Sequence, residues 1–222
     1  MIKLHFCTPC YGGQISEVTF SSYINFTVFA MQNGINFQLD TLSNESNINR
    51  GRNSLAAKFL GSDCSHLMFV DSDIQFSNVD IVKLVNHDLD VVGGLYPQKT
   101  LPAKYVVNTV PNSERRGDLV QVDTLGTGFI LIRRSVFEKM IHSGIAQKYR
   151  DDIGLGEKFD NFTYNFFPTQ IDDTGQYLTE DWAFCRNWRS LGGDIWADTS
   201  IELTHVGYHR FAGSLEELEK LK

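Results

Sequence analysis

The sequence predicts a single α/β domain of 222 residues with a mostly parallel central sheet flanked by helices. Three features carry this reading. Strand-length apolar segments alternate with helix-length segments through the first hundred residues. One segment, Leu67-Met68-Phe69-Val70, is apolar throughout, the pattern of a strand covered on both faces. Breaks at Gly12-Gly13, Asn33-Gly34, Gly61 and Gly93-Gly94 fall where an alternating fold needs its turns.

Residues 2–8 alternate in polarity, as a first strand does, and stop at Pro9. Residues 17–32 read as a helix with Ser16 as N-cap and Asn33-Gly34 as its stop. A second strand is expected over 35–42, then a polar loop over 43–47 and a helix over 48–59. After the buried strand 67–70 come a helix over 79–86 and a strand over 90–92, which completes a β-α-β-α-β-α-β series in a doubly wound parallel sheet.

The pattern changes after Tyr96-Pro97. Strands over 104–107 and 119–122 flank a turn-rich segment, 111–117. Gly126-Thr127-Gly128 opens the apolar run 129–132, and a helix over 135–142 follows. Residues 144–179 are aromatic and acidic with no sustained period, which predicts long loops with one hairpin, placed to cover an acceptor as a lid. A helix over 180–191 ends at Gly192-Gly193, short strands are expected over 195–196 and 201–204, and 214–222 reads as a charged terminal helix.

Composition narrows the class of protein. Hydrophobic content of 42% and charged content of 21% are those of an ordinary globular chain, and a net charge of −7 argues against general nucleic-acid binding. No apolar run approaches the roughly 20 residues of a membrane span. The first residues lack signal-peptide architecture, so a cytoplasmic location is expected, the host cytoplasm if the chain is from a phage or virus. The sequons at Asn25, Asn44 and Asn161 are then without consequence. Cys7 and Cys10 form a C-x-x-C with no second close pair to complete a zinc site; with Cys64 and Cys185 they read as free, partly buried thiols.

The chemistry gathers after the buried strand. Asp71 and Asp73 are two residues apart, so on extended backbone both carboxylates point one way. Such a pair repels unless a cation lies between, and Mg²⁺ commonly takes one or two carboxylates together with substrate phosphates. Arg50, Arg52 and Asn53 open the helix over 48–59. Basic residues add to the positive end of the helix dipole there, which suits a bound anion as well as it suits solvated side chains. In an open parallel sheet these groups and the turn after the first strand collect beyond the carboxyl ends of the strands.

These residues, in this order, resemble the metal-dependent glycosyltransferases of the GT-A fold, in particular the family 2-like nucleotide-sugar transferases. The matching stretches are Cys7-Thr8-Pro9-Cys10-Tyr11-Gly12, Arg50-Gly51-Arg52-Asn53, His66-Leu67-Met68-Phe69-Val70-Asp71-Ser72-Asp73, Val92-Gly93-Gly94-Leu95-Tyr96, Gly126-Thr127-Gly128-Phe129, Glu180-Asp181 and His205. The resemblance implies a nucleotide-binding half over 1–100 and an acceptor and catalytic half over 101–213. It implies a nucleotide-sugar donor, UDP-sugar first, and a glycan, lipid or protein acceptor. Asp73 would ligate Mn²⁺ or Mg²⁺, Asp71 would lie nearer the ribose or a metal-bound water, and His205 would complete the coordination, with His209 as fallback. Thr8, Pro9 and Tyr11 would line the base pocket. Arg52, Arg50, Asn53 and Ser72 would meet the nucleotide, and Gly126 and Gly128 would admit the donor sugar or acceptor. Asp181, or failing it Glu180, would take the acceptor proton in an inverting displacement.

Two other readings fit parts of the pattern. A phosphotransferase of the haloacid-dehalogenase type would use Asp71 as nucleophile and Asp172-Asp173 as its later acidic pair. A non-catalytic nucleotide-sugar binding module would share the donor site and lack a working base at Asp181.

Overall fold

The computed structural model describes residues 2–100, 102, 104–105, 107–109 and 113–212. The expected terminal helix over 214–222 lies outside them. In chain order the elements are β1 (Lys3–Cys10), α1 (Glu17–Asn33), β2 (Asn36–Ser43), α2 (Ile48–Leu60), β3 (His66–Val70), β4 (Ile74–Gln75), α3 (Asn78–Asn86) and β5 (Val91–Gly94). There follow β6 (Val107–Thr109), β7 (Arg115–Arg116), β8 (Leu119–Leu125), β9 (Phe129–Arg133), α4 (Arg134–His142), β10 (Gln147–Lys148), β11 (Tyr164–Asn165), β12 (Gln170–Ile171) and β13 (Tyr177–Leu178). The last are α5 (Glu180–Ser190), β14 (Trp196–Asp198), β15 (Thr204–Val206) and β16 (Arg210–Ala212).

The central sheet has the order β2-β1-β3-β9-β5-β14-β8-β6, with β7 also on β8. Only β8 and β9 run against the rest, so the sheet is mostly parallel in direction, as expected. One departure is physical. The first hundred residues read as an uninterrupted parallel series, yet β9 inserts antiparallel between β3 and β5. Its apolar run over 129–132 suits a central position, and periodicity within one strand does not say which neighbour it takes.

Alternation along β3 explains its apolar run from Leu67 to Val70. Leu67 and Phe69 pack into one core layer with Phe59, Phe137, Phe167, Phe184 and Trp188, beneath α2, α4 and α5. Met68 and Val70 pack into the other with Phe6, Tyr23, Phe26 and Phe129, beneath α1 and α3. Each such fully buried side chain contributes about 1.5–3 kcal/mol relative to exposure. Gly93 on β5 is set by β9: a Cβ there would lie 2.4 Å from the Phe129 carbonyl oxygen.

The helix ends follow their sequence signals. Ser16 caps α1 by accepting from Thr19 N–H, and Gly34 closes it in the left-handed conformation. Asn47 caps α2 through the N–H groups of Asn49 and Arg50. At the other end of α2 the Arg134 guanidinium donates to the carbonyls of Phe59, Leu60, Ser62 and Cys64, which holds the turn into β3. All four cysteines are free and buried.

Several elements sit differently from expectation. The strand expected over 201–204 forms at Thr204–Val206 instead, because Ile201 and Leu203 drop into the core. The strand expected over 104–107 is found at Val107–Thr109, with Tyr105 bridging Pro97 before it. Part of the turn-rich 111–117 segment forms β7. Residues 144–179 contain two small antiparallel pairs, β10 with β11 and β12 with β13, where one hairpin was expected. Among the described residues, no helix is long and apolar enough to cross a membrane.

Candidate functional site

The site begins where β3 ends. Parallel pairing with β1 and antiparallel pairing with β9 carry β3 to Val70 opposite Phe129, and the next N–H, that of Asp71, donates to the Gly128 carbonyl at 2.9 Å. The chain then turns through Ser72 into β4. Ser16 N–H donates to Ser72 O at 2.7 Å and Thr19 Oγ1 donates to Ile74 O at 2.9 Å, so the start of α1 braces this turn.

Asp71 and Asp73 do not share one partner. Asp71 accepts from Arg52 Nη2 at 3.0 Å. The same guanidinium reaches Glu180 Oε1 at 3.4 Å and the Thr127 carbonyl at 3.4 Å. Arg52 is buried, so this Asp71–Arg52–Glu180 chain is a buried charge network rather than a surface pair. Burial pushes the Glu180 carboxyl above its ordinary value; Arg52 opposes that shift, and neighbouring Asp181 adds to it.

Asp73 instead meets His205 and Lys99. Antiparallel pairing places His205 of β15 opposite Ile74 of β4, and Val206 N–H donates to the Asp73 carbonyl at 2.8 Å. His205 Nε2 lies 3.4 Å from Asp73 Oδ1, and Lys99 Nζ lies 2.5 Å from Asp73 Oδ2. Burial disfavours the Asp73 carboxylate, but hydrogen bonds from His205 and Lys99 outweigh it and hold the group below the ordinary range. His205 Nδ1 is 2.9 Å from the Pro97 carbonyl, an oxygen that can only accept, so Nδ1 carries a proton. Nε2 faces the Asp73 carboxylate, where an imidazolium ring donates to it and a neutral ring presents a lone pair that a metal ion could take.

A divalent ion fits this donor set in one way. Among the described residues, no three His, Cys, Asp or Glu side chains converge to cage a metal unaided. Asp73 and His205 supply a carboxylate oxygen and an imidazole nitrogen, which suits an ion whose other positions come from phosphate oxygens and water.

Tyr96 closes the floor. Its hydroxyl accepts from Gly128 N–H at 3.0 Å, and its ring stands edge-on to His205 with centroids 5.4 Å apart. A Cβ at Gly128 would lie 2.7 Å from Tyr96 Oη and 2.8 Å from Asp71 Oδ2, so glycine is the side chain this approach admits. Gly126 is buried just before it. The Thr127 hydroxyl is buried without a hydrogen-bond partner among the described residues.

Other expected site residues are placed as follows. Thr8 turns inward and its hydroxyl meets Tyr23 Oη at 2.5 Å, so a base could meet its backbone but not its side chain. Pro9 lies on β1, and Tyr11 in the turn after it is 74% exposed and free to stack. Arg50 stands apart from Asp71, held by Glu45 at 2.7 Å and Asp152 at 3.3 Å. It lines a cleft of about 310 Å³ with Asn49, Tyr149, Asn165 and Thr169. Asn53 is buried, its carbonyl accepting from Phe166 and Phe167 N–H and its amide donating to Asn165, so it anchors the 165–167 loop. His209 is exposed beside Phe211. Asp181 opens α5, where Oδ1 accepts from the Thr179 hydroxyl and Trp182 N–H, which leaves Oδ2 without a hydrogen bond among the described residues. Asp172 accepts from Thr174 and Gln176 within its own turn, and Asp71 is matched by Arg52; neither arrangement favours the phosphotransferase reading.

Sequence reasoning gave no role to Lys99 or the Pro97 carbonyl, and it quoted Tyr96 only as part of a matching stretch. Nothing local in the sequence around Lys99 marks it; the Gly93-Gly94 pair that lets β5 pass close to β9 is the one signal that the following residues enter the site.

No protein-family model matches the chain, and no curated protein matches it in sequence. Solved structures do. The crystal structure of A197 from STIV is 22% identical over 97% of this chain and 91% of that one, with a TM-score of 0.55. The two chains share a fold. A variant of Drosophila beta1,4-galactosyltransferase 7 in complex with manganese, UDP-Gal and xylobiose is 15% identical over 100% of this chain and 74% of its own, with a TM-score of 0.46. Residues 1–349 of S. aureus TarS in complex with UDP-GlcNAc are 17% identical over 88% of this chain, with a TM-score of 0.45, and this chain covers 56% of that fragment. Those two overlays are looser than a shared fold requires.

Proposed function

We propose that this chain is a glycosyltransferase of GT-A type that moves a sugar from a nucleotide-diphosphate donor, UDP-sugar first, to an acceptor hydroxyl with Mn²⁺ or Mg²⁺. The observation that supports it most is the Asp73–His205 pair, with His205 turned by Pro97 so that Nε2 faces the carboxylate at 3.4 Å. Asp73 and His205 would hold the ion. When bound, it acts as a Lewis acid on the departing diphosphate.

The remaining steps belong to the chain's own groups. Arg52 fixes Asp71 at the edge of the donor site, and the narrow floor at Gly128 and Tyr96 lets the donor approach the backbone. Tyr11, exposed beyond β1, offers a ring for the base to stack on. Asp181 Oδ2 accepts the proton of the attacking hydroxyl in an inverting displacement, with Glu180 beside it in the Arg52 network. A glycan, lipid or protein acceptor would reach the site past the loops over 144–179.

Calorimetry of UDP-glucose, UDP-galactose, GDP-mannose and the free nucleotides, each with Mn²⁺ and with EDTA, tests the reading. Metal-dependent binding of one nucleotide class is expected. Absence of binding to all of them refutes the donor site.

A further inference from the structure

We propose that Lys99 is a diphosphate-binding residue: in the nucleotide-free site it is the counter-ion of Asp73, and it transfers to the diphosphate when a divalent ion takes that carboxylate. This rests on the donor-site reading above. Arg52 has no surplus charge to offer, because Asp71 and Glu180 already match it and it is buried. Lys99 pairs with Asp73, the carboxylate that the ion would occupy, and its side chain is 39% exposed. An ion bound between Asp73 and His205 therefore releases one ammonium beside the phosphates it holds.

The local structure allows such a transfer without a backbone change. Lys99 sits on an excursion whose base is pinned: Pro97 O accepts from His205, Pro97 bridges Tyr105, and Gln98 N–H donates to Lys104 O at 2.6 Å. Its flexible four-carbon stem runs over Gly207, where a Cβ would lie 3.1 Å from Lys99 Cδ. The same short segment thus orients His205 through Pro97 and supplies the ammonium two residues later.

The test uses the full chain, Lys99→Met and Lys99→Arg, with calorimetric titration of Mn²⁺ alone and of inorganic pyrophosphate and UDP at saturating Mn²⁺. Lys99→Met is expected to bind Mn²⁺ alone about fivefold more tightly, since a partly exposed ion pair no longer competes. With Mn²⁺ present it should bind pyrophosphate about tenfold more weakly, the loss of one charge-assisted hydrogen bond, and Lys99→Arg should restore most of that binding. Equal pyrophosphate affinity in wild type and Lys99→Met overturns the proposal, as does a wild-type chain that binds neither anion. Wild-type binding of pyrophosphate without UDP, with the Met variant weakened, upholds Lys99 and refutes the nucleotide reading instead.

Discussion

The Arg52 guanidinium donates to Asp71 at 3.0 Å from a position that is 3% exposed, tying the second turn of α2 to the end of β3. Removing the guanidinium would leave Asp71 and Glu180 facing each other without a counter-charge in a partly desolvated space. Arg52→Met is expected to lose about 3 kcal/mol of stability, the range for breaking a buried pair from one side. Arg52→Lys should recover part of it, because an ammonium keeps the charge and loses the fork that reaches Glu180 and Thr127 together. Urea unfolding of the three chains measures both; a Met variant as stable as wild type would show that the network is not held by charge.

Gly128 is the second constraint on the site. With Tyr96 Oη at 2.7 Å and Asp71 Oδ2 at 2.8 Å from the place of a Cβ, Gly128→Ala must displace a carboxylate, a tyrosine or β9 itself. Overpacking of this kind costs about 1–3 kcal/mol. Because the displaced groups form the floor of the proposed donor site, nucleotide binding is expected to fall along with stability. Binding that survives with its metal dependence unchanged would remove Gly128 from the site.

The metal assignment divides between two residues of unequal weight. Asp73→Ala should abolish the metal dependence of nucleotide binding, since it deletes the only carboxylate proposed as a direct ligand. His205→Ala should weaken it by less, because water can take one coordination position. Calorimetry with Mn²⁺ and with EDTA separates the two. Equal metal dependence in wild type and Asp73→Ala refutes the assignment.

How much of this was legible in the sequence follows from the range of the forces involved. The run Leu67 to Val70 and the capping residues Ser16 and Gly34 announce themselves locally, and β3 and α1 form where they indicate. Asp71, Asp73, Arg52 and His205 were named as candidates, and the fold brings them to one end of the sheet. The division of labour between the two aspartates was not legible, because it depends on Arg52 reaching across from α2 and on Lys99 and Pro97 returning from beyond β5. Thr8 shows the converse: its place in a matching stretch suggested the base pocket, while side-chain alternation along β1 turns its hydroxyl to Tyr23 in the core. The position of β9 was hidden for the same reason, since strand pairing is decided by neighbours far apart in the chain.

Glu180 and Asp181 can be separated by pH as well as by rate. Asp181→Asn is expected to cut sugar transfer by a factor on the order of 10² or more while leaving donor affinity nearly unchanged, as loss of a general base does. Glu180→Gln should behave differently. The folded-state pKa of Glu180 is raised, chiefly by burial, so its contribution to stability is present below the unfolded value and is lost as pH rises through the folded one. A neutral glutamine escapes that loss. The stability of Glu180→Gln relative to wild type should therefore increase as pH rises from the acid side toward neutrality and level off once Glu180 is ionised. Urea denaturation of both chains at several pH values reads this directly. A difference that shrinks with rising pH would mean that Arg52 stabilises the ionised carboxylate by more than burial opposes it, and single-turnover assays of both variants would then decide which acid serves the acceptor.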